Sequence, residues 1–105
     1  MRNPCLAILG LLLIVPSAQG QSGLGDVKRG YDFAKRICAE CHRVEKGQKG
    51  LKVSAIRSFQ EIADNPARTA LYLRVFLRTP HRDMPNFILA EEETDNIIAY
   101  IHSLK

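Results

Sequence analysis

The segment Cys38-Ala39-Glu40-Cys41-His42 constrains this chain more than any other stretch of it. Two thiols separated by two residues, with a histidine directly after the second, form the attachment pattern for a covalently bound c-type haem. The spacing has a geometric reason. On one helical turn the two sulfurs meet the two vinyl groups of a porphyrin, and the adjacent imidazole comes under the iron as its proximal ligand. A bare C-x-x-C has two other readings. A dithiol redox pair calls for a βαβ setting, which the chain lacks, and half of a zinc site calls for further ligands.

The 105 residues suffice for one small domain. Residues 1–20 read as a secretory signal peptide and residues 21–105 as the domain itself. Arg2 supplies a basic start, Leu6 to Val15 is an apolar run, and Ala18-Gln19-Gly20 offers small residues at the cleavage-determining positions. The run is shorter than the roughly 20 apolar residues of a membrane span, so no span is expected after cleavage. An uncleaved anchor is the alternative. Removing residues 1–20 takes away Arg2 alone of the charged residues, leaving 14 Lys+Arg against 11 Asp+Glu, a net charge of +3. That balance suits acidic docking partners and falls short of a nucleic-acid footprint. It also removes Cys5, so both remaining cysteines lie within the motif and no disulfide framework is left to an exported chain. A domain this small needs a staple, and a covalent cofactor is one.

Hydrophobic periodicity points to four helices joined by loops, with no strand-like alternation and no internal repeat. Asp26 caps a first helix expected to run to about His42, its apolar side formed by Val27, Tyr31, Ala34, Cys38 and Cys41. Gly30 inside that helix costs about 1 kcal/mol relative to alanine, which calls for a packing reason. Lys46, Gly47, Lys49, Gly50 and Lys52 make a basic, flexible loop. Ser58-Phe59-Gln60-Glu61 has capping-box spacing for a short helix through Ala63. Asn65-Pro66 reads as the start of a third helix ending near Arg78, where Thr79-Pro80 stops it. Glu91-Glu92-Glu93 opens a last helix whose buried side is Ile97, Ile98, Tyr100, Ile101 and Leu104.

A haem held by His42 leaves one axial position. Met84 is the single methionine of residues 21–105 and lies in a proline-bounded loop 42 residues after His42, where no helical periodicity would bury it. Its thioether is a soft ligand that raises the reduction potential relative to two histidines. With both axial sites filled the iron is closed to small molecules, and electron transfer is its natural chemistry. His81 competes for the position, with a surface or propionate-contacting role as its other reading, and His102 is expected to be exposed.

With these residues in place the chain resembles the class I c-type cytochromes, in particular the small bacterial periplasmic ones. The resemblance covers residues 24–105 and rests on Gly30 eight residues before Cys38, the Cys38–His42 motif, Met84-Pro85, and Ile97-Ile98-Ala99-Tyr100-Ile101. It implies an all-α cytochrome c fold, about four helices around one covalently attached haem c with the first and last helices crossing. Gly30 and Ala34 would then meet Ile97 and Tyr100. It also implies Cys38 and Cys41 as thioether sites, with His42 and Met84 as the axial ligands of the iron. Many members carry a bulky aromatic at the Ala34 position, whereas here Phe33 precedes it. Many also have a proline after the motif whose carbonyl accepts the proximal imidazole proton. No proline occurs between His42 and Pro66, so another carbonyl of that loop is expected to serve.

The reading that follows is a soluble periplasmic electron carrier rather than an enzyme, shuttling single electrons between respiratory or dehydrogenase partners; a monomer is the expectation, though the sequence itself carries no signal for an oligomeric state. Arg43, Lys46, Lys49 and Lys52 would steer acidic docking surfaces. Two alternatives are a haem-based gas or redox sensor in which Met84 leaves the iron, and a dedicated haem subunit of a dehydrogenase or oxidase complex.

Overall fold

A computed structural model describes residues 25–50, 52–53, 55–81 and 83–105. The expected signal peptide, residues 1–20, lies outside the described residues. Among the described residues there are four α-helices, α1 (Val27–Arg36), α2 (Phe59–Asp64), α3 (Ala70–Arg78) and α4 (Glu91–Ser103), with a 3-10 turn at Cys38–Glu40. Among the described residues the one β feature is an isolated bridge between His81 and Met84. The fold is all-α.

Asp26 caps α1 by accepting from the Arg29 amide at 2.8 Å, which satisfies one of the free donors of a helix start. Its own amide donates to Asn96 Oδ1 at 2.6 Å, tying the start of α1 to the middle of α4. The helix was expected to reach His42 and ends earlier, at Arg36. Ile37 departs from helical geometry at φ −112° and ψ −54°, and the chain tightens into the turn at Cys38–Glu40. Both the Cys41 and His42 amides then donate to the Cys38 carbonyl, at 3.2 and 2.9 Å. A single winding change thus takes the motif off the helix axis. The buried face of α1 is correspondingly short, Gly30 and Ala34, while Val27, expected on that face, is 46% exposed.

α1 crosses α4 at Gly30. A Cβ there would lie 2.6 Å from the Asn96 carbonyl carbon and 2.8 Å from Tyr100 Cβ, where ordinary contact begins at 3.4 Å. The helices can approach this closely because no side chain separates them, and this is the packing reason that the glycine required. Ala34 is fully buried in the same cluster as Ile97, Tyr100, Ile101 and Leu104, with Phe33 partly buried against it. Tyr31 packs on Tyr100 with ring centroids 5.3 Å apart.

α2 begins with a complete capping box: the Glu61 amide donates to Ser58 Oγ at 3.1 Å and the Ser58 amide to the Glu61 carboxylate at 3.0 Å. Gln60 links three segments. Its amide nitrogen donates to the Leu104 carbonyl at 2.8 Å, and its oxygen accepts from the Gly47 amide at 2.8 Å. Asn65-Pro66 does not open α3. The Asn65 side chain accepts from the Ala67 amide at 2.9 Å, making a turn in which the asparagine caps its own following backbone. Thr69 is the N-cap instead, accepting from the Tyr72 amide at 3.1 Å. Arg74 and Arg78 of α3 reach Glu91 and Asp95 of α4 in ion pairs, Arg74–Glu91 at 3.1 Å.

The basic loop is pinned at both ends. Val44 is buried, its carbonyl accepts from the Tyr100 hydroxyl at 2.5 Å, and the Phe59 amide donates to the Arg43 carbonyl at 2.9 Å. Between these ties Gly47 and Gly50 turn the chain at φ of 78° and 79°, a region glycine enters without steric cost.

Candidate functional site

The Cys38–His42 turn, α2, α3, α4 and the loop between α3 and α4 surround a cavity of about 450 Å³, within the range of cofactor sites. Phe59, Leu73, Leu77, Ile97 and Ile101 make its walls apolar. Cys38, Cys41, His42 and Met84, the four site residues picked out from the sequence, all line it, and so does His81. Met84 reaches the site although 42 residues separate it from His42, because α4 folds back across α1 and brings the preceding loop with it. His102 does not line the cavity. It was expected to be exposed and is instead half-buried, with Nε2 2.9 Å from the Arg68 carbonyl.

His42 is held by its outer nitrogen. Nδ1–H donates to the Arg57 carbonyl at 2.7 Å, so a backbone oxygen of the loop takes the role that a proline carbonyl has in many cytochromes. The ring is also fixed by Phe59, whose centroid is 5.3 Å away. Burial pushes the His42 pKa below its ordinary value, the Arg57 bond opposes this, and the charge of His81 adds to the lowering. The imidazole is therefore neutral with Nε2 carrying a free lone pair, the state of a histidine that ligates a metal.

Cys38 has the opposite character to a reactive thiol: burial pushes it up to about 11, whereas reactive dithiols sit where their pKa is depressed. The zinc reading has no further support either, since among the described residues no group of three His, Cys, Asp or Glu side chains is placed to hold a metal ion. Tyr72, Phe76 and Phe87 line the cavity yet remain 36%, 37% and 36% exposed, so the walls are apolar surface that a flat apolar group would cover. Arg57 and Arg68 are also among the lining residues, and the Arg68 guanidinium stacks over Tyr72, 4.3 Å from its ring centroid. A haem fits this donor set: two thiols, a neutral imidazole, a thioether and apolar walls.

Sequence reasoning did not single out the Arg57 carbonyl or the two arginines. The carbonyl carries no residue-type signal at all, and an arginine in a basic chain resembles every other until the fold places it.

The cytochrome c family model matches residues 27–105 of the chain. Cytochrome c-552 of Bradyrhizobium diazoefficiens is 39% identical over 95 residues, covering 90% of this chain and 90% of that protein. No solved structure matches. Among the described residues no helix is long and apolar enough to cross a membrane. The chain belongs to the cytochrome c family, as a class I c-type cytochrome with covalently bound haem c that transfers electrons.

Proposed function

We propose that Cys38 and Cys41 are the thioether attachment sites, that His42 and Met84 are the axial ligands, and that the protein is a periplasmic carrier of single electrons between respiratory or dehydrogenase partners. When bound, the haem iron supplies a one-electron couple. The observation that carries this reading is the convergence of all four side chains on one apolar cavity, with His42 Nδ1–H fixed on the Arg57 carbonyl and Nε2 free. The chain's own contribution is positional. The turn at Cys38–Glu40 presents the thiols, the Arg57 carbonyl sets the imidazole tautomer, and the loop carrying Met84 delivers a soft sulfur that favours the ferrous state. Apolar walls keep water away and raise the potential further.

Lys46 and Lys49 are exposed on the loop after the motif and would steer acidic docking surfaces. Arg43, expected to join them, is half-buried, and its Nε is buried without a hydrogen-bond partner, so it belongs to the protein's interior edge rather than to that surface. Lys52 is anchored by its ammonium on the Ala39 carbonyl, behind the motif. Electron-transfer rates with an acidic partner should fall as salt rises, because exposed charges are screened within roughly 10 Å at 0.1 M. Salt-independent rates would remove the steering role.

Residues 1–20 are read as an export signal, which places the carrier in the periplasm as residues 21–105. The intact mass of protein recovered from the periplasm tests attachment and processing together. Residues 21–105 plus one haem are expected, with the haem resisting acid–acetone extraction, and Cys38→Ser with Cys41→Ser together releasing it. Extraction of haem from the wild-type chain would overturn the thioether assignment.

A further inference from the structure

Met84 does not stand alone in its part of the cavity. His81 Nε2 lies 2.9 Å from Met84 Sδ, and both residues line the site. A tight turn produces the juxtaposition. Asp83 adopts the left-handed region at φ 59°, which aspartate tolerates better than most residues, and His81 and Met84 pair across it as an isolated antiparallel bridge.

The tautomer of His81 decides what this contact means. Nδ1 lies 2.9 Å from the Thr79 carbonyl. A carbonyl is a much stronger acceptor than a thioether, so in the neutral form of the ring, the form a ligand needs, the proton sits on Nδ1 and is donated to Thr79. In that form Nε2 presents a lone pair beside the lone pairs of the sulfur, 2.9 Å away. Two donor atoms without a proton between them are aimed at one region of space. The ring is held there by Phe76, whose centroid is 3.8 Å away. The same pattern holds at His42: Nδ1–H on a backbone carbonyl, an aromatic ring against the imidazole, and Nε2 free in the cavity. A metal-ligating histidine is ordinarily fixed in this way, and the cavity contains two of them.

We propose that His81 is a reserve axial ligand, built to take the sixth position of the iron whenever Met84 leaves it. The proposal rests on the assignment of Met84 as the resting ligand. The exchange breaks the iron–Sδ bond and forms an iron–Nε2 bond. No electron is transferred, and no proton moves, because Nδ1 keeps its proton on the Thr79 carbonyl throughout. The chain would thereby keep its iron closed to small molecules even when the thioether is lost. The exchanged form would have a lower reduction potential, since nitrogen stabilises ferric iron where the thioether favours ferrous.

The test compares the haem-loaded wild type with Met84→Ala, His81→Ala and the double variant. The readouts are spin state by visible and electron paramagnetic resonance spectroscopy and carbon monoxide binding to the ferrous form. His81→Ala should keep the wild-type spectrum with its sulfur-to-iron charge-transfer band. Met84→Ala should lose that band, remain low-spin and form no carbon monoxide adduct in the time that converts the double variant fully. A Met84→Ala protein as high-spin and as reactive as the double variant would overturn the proposal while leaving Met84 as the resting ligand. Loss of the low-spin state in His81→Ala, with Met84→Ala unchanged from wild type, would instead overturn the Met84 assignment itself and make His81 the resident ligand. Far-ultraviolet circular dichroism on each variant separates these outcomes from unfolding.

Discussion

Gly30→Ala should weaken the protein although alanine is the better helix former. The added Cβ would sit 2.6 Å from the Asn96 carbonyl carbon and 2.8 Å from Tyr100 Cβ, against an ordinary contact of 3.4 Å or more. The nearest obstacle is the Asn96 carbonyl oxygen, backbone of α4, which cannot rotate away as a side chain can, so α1 and α4 must separate by more than about 1 Å. Overpacking of this kind costs about 1–3 kcal/mol, and a clash against backbone belongs at the upper end. Separation also stretches the hydrogen bond from the Asp26 amide to Asn96 Oδ1, worth about 1 kcal/mol. Helix propensity offsets about 1 kcal/mol of the total. The net destabilisation is about 2–3 kcal/mol, equivalent to a fall in Tm of roughly 10–20 °C for a domain of this size. Denaturant and thermal unfolding of the haem-loaded protein, followed by circular dichroism, measure it directly. Asp32→Ala, on the exposed side of the same helix, is the control and should change stability by less than about 0.5 kcal/mol. A Gly30→Ala protein as stable as wild type, or more so, would refute the close crossing.

Three further perturbations follow from the polar contacts of Tyr100, Glu61 and Ser58. Tyr100→Phe removes the donor to the buried Val44 carbonyl and should cost about 1–2 kcal/mol near neutral pH. Burial, with the charges of Glu45 and Tyr31, pushes the Tyr100 phenol up to about 12. The neutral phenol is therefore the form that the fold favours. Its stabilisation is complete below pH 10 and lost as pH rises through about 12, so the alkaline limb of the stability profile should flatten in Tyr100→Phe; an unchanged limb would refute the link. At the other end of the scale, hydrogen bonds from Ser58 hold the Glu61 carboxyl below its ordinary value of 4.5. The stabilisation from Glu61 is present above that value and lost as pH falls through the lowered one, so Glu61→Gln should flatten the acid limb, and Ser58→Ala should cost about 1 kcal/mol as a lost N-cap.

Much of this protein could be read from residue types. Cys38, Cys41 and His42 stand out because thioether and axial chemistry needs those side chains at that spacing, and Met84 because nothing in the periodicity around it explains a methionine. Gly30 signalled a helix crossing since its penalty inside α1 demanded a reason. What stayed hidden was carried by backbone groups and by competition between signals. The Arg57 and Thr79 carbonyls that set the tautomers of His42 and His81 are invisible in a sequence, as every residue has one. Asn65-Pro66 and Thr69 both look like helix starts. The turn won at Asn65 because its side chain reaches the Ala67 amide, and the helix waited for Thr69. The break at Ile37 was equally hidden, since the apolar spacing of α1 continues without interruption through Cys38 and Cys41 while the backbone does not.

The most direct test of an iron closed by ligands from both sides is the visible spectrum of the ferrous wild-type protein before and after addition of carbon monoxide. A low-spin haem spectrum that carbon monoxide leaves unmoved is the expected result, with His42 and the thioether of Met84 filling both axial positions. Rapid conversion to a carbon monoxide adduct would contradict it, showing an open or labile sixth site and a haem built to bind small molecules rather than to pass electrons.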